Sequence, residues 1–146
     1  MAEAQDWARR RRETAQGQAD RLARRRAAET ARAQEMVHEF AREAQEHGIN
    51  PAPLLARTGE SKPIYRTGLV GWYLARDGSL GVTTDGDYYH LASPRSLKAR
   101  LLGVHLEPTE PPLQVGAGGR DGESVALDVL LAMRLAAGND WPIHGL

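Results

Sequence analysis

Cysteine is absent from the 146-residue chain, which excludes disulfide bonds, thiolate zinc sites and thiol nucleophiles. A long hydrophobic run is also absent, because the longest apolar stretch, residues 125–137, contains Asp128 and Arg134 and is too short to cross a bilayer. The arginines near the N-terminus are not followed by the apolar segment that an export signal requires. We therefore expect a soluble, cytoplasmic protein with no role in a membrane.

Motifs for nucleophilic catalysis are missing as well, since the sequence contains neither Gly-x-Ser-x-Gly nor Ser-x-x-Lys. The histidines do not form a clear metal-binding pattern. His38 and His47 fall on opposite sides of a helix. His90 and His105 could lie on neighbouring strands, but half-buried histidines are the more ordinary reading. We expect a protein that is not an enzyme and that needs no metal or cofactor.

The N-terminal segment has the composition of a long helix. Residues 3–47 contain no proline and a single glycine, Gly17, and consist mainly of the helix formers Ala, Arg, Glu and Gln. Three pairs of opposite charge stand four residues apart: Asp6 with Arg10, Asp20 with Arg24, and Arg42 with Glu46. Gly48 then suits the left-handed cap that ends a helix. We predict an extended charged helix over residues 1–48, on the order of 66 Å long, which could form a coiled coil.

Apolar residues are concentrated in the C-terminal third of this predicted helix. They recur there at three- and four-residue spacing: Ala33, Met36, Val37, Phe40, Ala41 and Ala44. The first thirty residues offer only Trp7, Leu22 and alanines. We therefore expect the C-terminal third to pack against the rest of the protein and the N-terminal part to project from it.

The remaining sequence predicts a proline-containing connector at residues 49–66 and a small α+β domain at residues 67–146. Two Asp-Gly pairs, Asp77–Gly78 and Asp85–Gly86, each suit a tight hairpin turn. They predict an antiparallel three-stranded meander with strands near residues 69–76, 79–84 and 87–92. The aromatic residues of this region are expected to form core rather than a surface that stacks bases: Trp72, Tyr73, Tyr88 and Tyr89.

Weaker signals continue to the end of the chain. Ser93 before a proline is typical of a helix start, and RLLGVHLEP predicts a strand that ends at Pro108. PPLQVG predicts a short edge strand, and a final helix is expected from about Ser124 to Ala137, ended by Gly138. The predicted fold class is α+β: a long charged N-terminal helix, a three-stranded meander, one or two further short strands and a C-terminal helix.

The segment VGAGGRDGES, residues 115–124, resembles a phosphate-binding loop only in its glycine content. Gly116 and Gly118 fit the dinucleotide fingerprint, but Asp121 occupies the place of its third glycine. Asp121 and Glu123 would repel a phosphate, so we expect a turn. The alternative is an anion site formed by three residues: Gly118, Gly119 and Arg120.

Charge is distributed unevenly along the N-terminal helix. Residues 1–26 contain eight arginines and four acids, whereas residues 27–47 contain two arginines and five acids. The candidate binding residues are Arg9, Arg10, Arg11, Arg12, Arg24, Arg25 and Arg26. They suit a solvated helix, an acidic protein partner or nucleic acid. The gradient also suits antiparallel self-association, in which basic halves lie on acidic halves.

These features favour a non-enzymatic interaction or adaptor protein, in which a charged helical arm extends from a small α+β domain. Binding of nucleic acid through the arginine-rich helix is the first alternative. Binding of a small anion or nucleotide through residues 116–124 is the second. The expected partners are another protein or a second copy of the chain, with nucleic acid as the alternative.

Overall fold

The computed structural model describes residues 1–116 and 124–143. Its helices and strands follow one another as α1 (Ala2–Glu46), β1 (Ala52–Ala56), β2 (Tyr65–Tyr73), β3 (Leu80–Thr83), β4 (Tyr88–His90), α2 (Leu97–Leu102), β5 (Gln114–Gly116), β6 (Ser124–Ala126) and α3 (Leu127–Ala137). The first four strands form one antiparallel sheet in chain order, and β5 pairs with β6. The fold is therefore α+β, as the sequence predicts.

Helix α1 is continuous over 45 residues and ends at the predicted glycine. Gly48 has a φ of +69°, a left-handed conformation that glycine adopts without strain. The Ile49 amide donates to the Ala44 carbonyl at 2.9 Å, and the Gly48 amide donates to the Gln45 carbonyl at 3.2 Å. This pair of bonds is the Schellman arrangement, in which buried Ile49 supplies the expected apolar contact.

The C-terminal third of α1 packs against the sheet, as its apolar spacing predicts. Its buried residues are Ala33, Val37, Phe40, Ala41 and Ala44. Phe40 meets Trp72 edge-on with ring centroids 5.8 Å apart. The Trp72 indole Nε1 donates to the Ile49 carbonyl at 3.0 Å, so the end of the helix is fixed to β2 by a buried hydrogen bond.

The meander has the predicted turns, and alternate residues of its strands face opposite sides. Trp72 and Tyr88 join the core beneath α1 and α3, whereas Tyr73 and Tyr89 join a second cluster on the other face. All four rings are buried, which confirms that they are core residues. The turn glycines, Gly78 and Gly86, have φ values of +78° and +86°.

The segment predicted as an irregular connector contains strand β1, so the prediction missed a fourth strand. Ala52 pairs with Gly71 and Pro53 with Val70, on the outer edge of the sheet. An edge strand tolerates proline, because one side of its backbone needs no partner. Buried Leu54 and Ala56 then fix the strand to the body.

The segment after the meander also differs from prediction. Helix α2 begins after Ser96, whose hydroxyl accepts from the Ala99 amide at 3.2 Å, so the cap is Ser96 and not Ser93. The strand expected to end at Pro108 is not formed, since no strand lies between α2 and β5 in this fully described stretch. Residues 124–126 are strand β6 rather than the first turn of α3. Gly138 ends α3 as predicted.

Candidate functional site on the projecting helix

The first part of α1 projects from the body. No side chain before Ala33 is buried, and the half-buried positions there are Asp6, Ala8, Gly17 and Thr30. We call the stretch from Ala2 to Arg32 the arm. At a rise of about 1.5 Å per residue, the arm is about 46 Å long. Its helix therefore presents its whole circumference to solvent.

The first arginine cluster of the arm is largely compensated by its own neighbours. The Asp6 carboxylate receives Arg9 at 2.6 Å and Arg10 at 3.1 Å through its two oxygens. The Arg11 guanidinium lies 4.5 Å from the centroid of the Trp7 ring, a cation–π arrangement. The Arg12 Nε donates weakly to the Ala8 carbonyl at 3.4 Å. Each of these four arginines therefore has a partner on its own helix, and Asp6 neutralises part of the charge of Arg9 and Arg10.

The second arginine cluster of the arm consists of Arg21, Arg24, Arg25 and Arg26. Among the described residues, none of these four guanidinium groups has an ion pair, a side-chain hydrogen bond or a ring contact. The expected pair of Asp20 with Arg24 is likewise not formed within the described chain, so that prediction is wrong. Isolated surface pairs gain little, because side-chain entropy and screening offset their attraction.

Arg21 belongs to this cluster, although our sequence reasoning did not single it out. Residues four or eleven positions apart return to nearly the same side of a helix. Arg21, Arg25 and Arg32 therefore lie within about 40° of one another around the axis. Helical spacing, rather than the adjacent arginines 24–26, was the signal that would have found this face. All three side chains are exposed.

The docked third of α1 carries net negative charge, with four acids against one arginine in residues 33–46. Glu39 and Glu46 both pair with Arg42, the latter at 2.5 Å. The hydrogen bond from Arg42 lowers the pKa of the Glu39 carboxyl below its usual value. These bonds connect exposed side chains one turn apart on a single helix. The charge gradient thus has its acidic end fixed at the body and its free basic end on the arm.

The predicted anion site falls outside the described residues, because Gly118, Gly119 and Arg120 lie between positions 116 and 124. The elements on either side of this segment are β5 and β6. Gly116 pairs with Ser124, so β5 and β6 form an antiparallel ladder. Anion loops of the type considered place the ligand at a helix N-terminus directly after the loop, whereas α3 begins only after β6.

The histidines and helices of the described residues were also compared with the requirements of a metal site and of a membrane span. Within residues 1–116 and 124–143, no group of three or more His, Asp or Glu side chains could hold a metal ion. His105 contacts Glu107 at 2.8 Å, and His90 packs edge-on against Tyr88. None of the described helices combines the length and apolar character that crossing a membrane requires.

The chain thus consists of a small α+β body that carries a long, charged helix. No protein-family model matches the chain, and no curated protein or solved structure matches it. The chemistry of the exposed surface is therefore the basis for a proposal about function.

Proposed function

We propose that the protein is a non-enzymatic interaction or adaptor protein that contacts a protein partner through the arm. The observation that carries this proposal is the absence of any buried side chain between Ala2 and Arg32, in a fully described stretch that remains helical throughout. An element of this length that adds nothing to the core is available for an external contact. The buried face that begins at Ala33 supplies the rigid attachment.

The chemistry of the arm favours an acidic partner. The free guanidinium groups of the second cluster can make bidentate hydrogen bonds to carboxylates. Leu22 lies within the cluster and is 45% exposed, so a partner could bury an apolar side chain surrounded by cations. Arginine is one of the residue types enriched among those that dominate binding energy at interfaces.

Self-association is the less favoured form of this proposal. If two arms overlapped antiparallel along their projecting lengths, the second cluster of each would approach Arg9–Arg12 of the other. Like charges would then oppose one another. The arm carries nine arginines against five acids, so too few acidic residues are present there to relieve this repulsion. A separate acidic protein meets no such conflict.

Affinity capture followed by reconstitution tests the proposal. The full chain, a chain lacking residues 1–26, and an Arg21/Arg24/Arg25/Arg26→Gln variant serve as baits, and a captured protein is then purified and titrated against each. We expect direct binding by the full chain and loss of binding by the other two. A partner that binds all three equally would contradict the role of the arm, and light scattering at two concentrations would reveal self-association instead.

Nucleic-acid binding is a second candidate, favoured by the same four unpaired arginines. Phosphate contacts of this kind release counterions, so affinity should fall steeply with salt. In a gel-shift titration with a double-stranded DNA, the full chain would bind at low salt and the Arg21/Arg24/Arg25/Arg26→Gln variant would not. Equal shifts by both proteins would exclude this function for the second cluster, and an equal shift by the chain lacking residues 1–26 would exclude it for that whole segment.

A further inference from the structure

Helix α2 exposes an unusual apolar surface. Leu97, Leu101 and Leu102 are 79%, 74% and 74% exposed, and only Ala99 of this helix is buried. Leu97 and Leu101 stand four residues apart and therefore lie on one side of the helix. Single exposed leucines are ordinary on a protein surface, but three within one six-residue helix form a patch of the kind that marks an interaction site.

Other contacts hold α2 in place, so the leucines are not required to dock it. Ser96 caps the helix, and its amide donates to the Tyr65 hydroxyl at 3.2 Å. At the other end, the Arg66 side chain donates to the Leu101 carbonyl at 2.7 Å. The Val104 amide donates to the Arg66 carbonyl at 2.7 Å. The helix is thus fixed to β2 through its termini while its leucines face away from the core.

The surface around these leucines is basic. Arg95, Lys98 and Arg100 are exposed, and within the described residues none of the three has an ion-pair partner. The sequence contains no acidic residue from position 88 to position 106. Arg95 and Arg100 lie close enough to Tyr65 to contribute to the lowered pKa of its phenol, after the larger effects of its hydrogen bonds to Thr58 and Ser96. An apolar patch is therefore surrounded by uncompensated positive charge.

A groove continues the patch. It has a volume of about 590 Å³ and is lined by Arg66, Thr67, Gly68, Leu102, Gly103, Val104 and His105. Leu102 belongs to both the patch and the groove, so an apolar side chain seated on the leucines has a neighbouring recess with a guanidinium at its wall. A flat lipid surface makes no use of such a recess, whereas a peptide does.

We propose that α2 and this groove dock an acidic amphipathic segment of a partner protein. Apolar side chains of the segment lie on Leu97, Leu101 and Leu102. Its carboxylates lie near the surrounding cations, Arg95, Lys98, Arg100 and Arg66. This surface is separate from the arm in sequence and contains its own apolar anchor. The proposal does not depend on what the arm binds.

Fluorescence anisotropy with designed peptides tests this proposal. The probe is a labelled helical peptide that carries leucine on one face and glutamate on both flanks; two matched peptides replace leucine by serine or glutamate by lysine. The full chain is compared with Leu97→Ser/Leu101→Ser and with a control, Val129→Ser/Met133→Ser. The control removes two exposed apolar residues from α3.

We expect the acidic peptide to bind the full chain and the α3 control equally, and to bind the α2 variant at least about tenfold more weakly, as for loss of interface anchors. The Arg21/Arg24/Arg25/Arg26→Gln variant should bind as the full chain does, which separates this surface from the arm. Because the substituted leucines are exposed, the variant should keep the unfolding midpoint of the parent. A second variant, Lys98→Glu/Arg100→Glu, should prefer the lysine peptide.

Several results would overturn the proposal. They are equal binding by the α2 leucine variant, equal binding of the serine peptide, an unchanged preference after charge reversal, and loss of binding in the arm variant. Binding to vesicles that contain phosphatidylserine, without binding to the acidic peptide, would show that the surface recognises a membrane and would reject the protein partner.

Discussion

At the scale of single residues, Gly86 shows how the close approach of two elements requires glycine at one position. Gly86 in the β3–β4 turn lies beneath α1, and a Cβ atom built there would lie 2.6 Å from the His38 ring. The side-chain amide of Gln34 also donates to the Gly86 carbonyl at 3.1 Å. The second Asp-Gly turn is therefore both a hairpin turn and a docking point for the long helix.

Substitution of Gly86 by alanine should destabilise the protein. The new methyl group would clash with His38, and the φ of +86° is one that alanine adopts with strain. We expect the free energy of unfolding to fall by about 1–3 kcal/mol, measured by urea denaturation. Gly17→Ala is the matched control, since nothing lies within 4 Å of a Cβ there. It should leave the urea midpoint unchanged and raise the helical circular dichroism signal. Equal loss of stability in both variants would contradict this account.

Tyr88 and Tyr73, whose phenols are buried, predict a loss of stability at alkaline pH. Burial raises the pKa of Tyr88 to about 12 and also raises that of Tyr73. Because the unfolded phenol has a pKa of about 10, the folded state binds its proton more tightly, and stability falls as pH rises from about 10 to about 12. Urea midpoints at several alkaline pH values should show this decline. The urea midpoint of Tyr88→Phe should decline less steeply with pH than that of the parent. Identical slopes for the two proteins would show that Tyr88 does not cause the decline.

At the scale of helices and strands, the local signals and the packed face of α1 were predictable, whereas the pairing of β1 was not. The end of α1 at Gly48 and both Asp-Gly turns follow from backbone chemistry that a few residues determine. Strand β1 was missed because its pairing depends on β2, which lies further along the chain. The second cluster was predicted only in part. Arg21 was missed, and Arg24 was expected to pair with Asp20, a contact that is not formed in the described chain.

The two parts of α1 should respond differently to truncation of a large apolar side chain. Phe40 is buried against Trp72, so Phe40→Ala should lower the free energy of unfolding by about 3–5 kcal/mol. Leu22 is exposed on the arm, and Leu22→Ala should change that free energy by less than about 0.5 kcal/mol. Chemical denaturation monitored at the body tryptophans compares the two. A comparable loss for Leu22→Ala would mean that the arm packs against the body.

At the scale of the whole molecule, the body and the arm differ in what sustains them. The body buries hydrophobic clusters on both faces of one sheet, whereas the arm relies on helix propensity and local contacts such as Asp6 with Arg9. Each local pair contributes little, but the arm continues a helix that is already formed at the body and so needs no new nucleus. The arm therefore stays helical because it extends the anchored third of α1 and is rich in strong helix formers.

Removal of residues 1–26, which make up most of the arm, should leave the body intact. No buried side chain lies within residues 1–26, so the truncated chain should keep the free energy of unfolding of the full chain within about 0.5 kcal/mol. Equilibrium urea unfolding measures both. A truncated chain that is clearly less stable would show that the arm contributes to the folded core.

Amide hydrogen exchange along α1 of the full chain tests the central claim most directly. Exchange should be slow for amides of the docked third, approaching global unfolding near Phe40, and should become faster within about two turns on the N-terminal side of Ala33. Arm amides should still exchange more slowly than in an unstructured chain. Uniform strong protection from Ala2 to Glu46, or an arm with no protection at all, would contradict a projecting helix anchored at its C-terminal third.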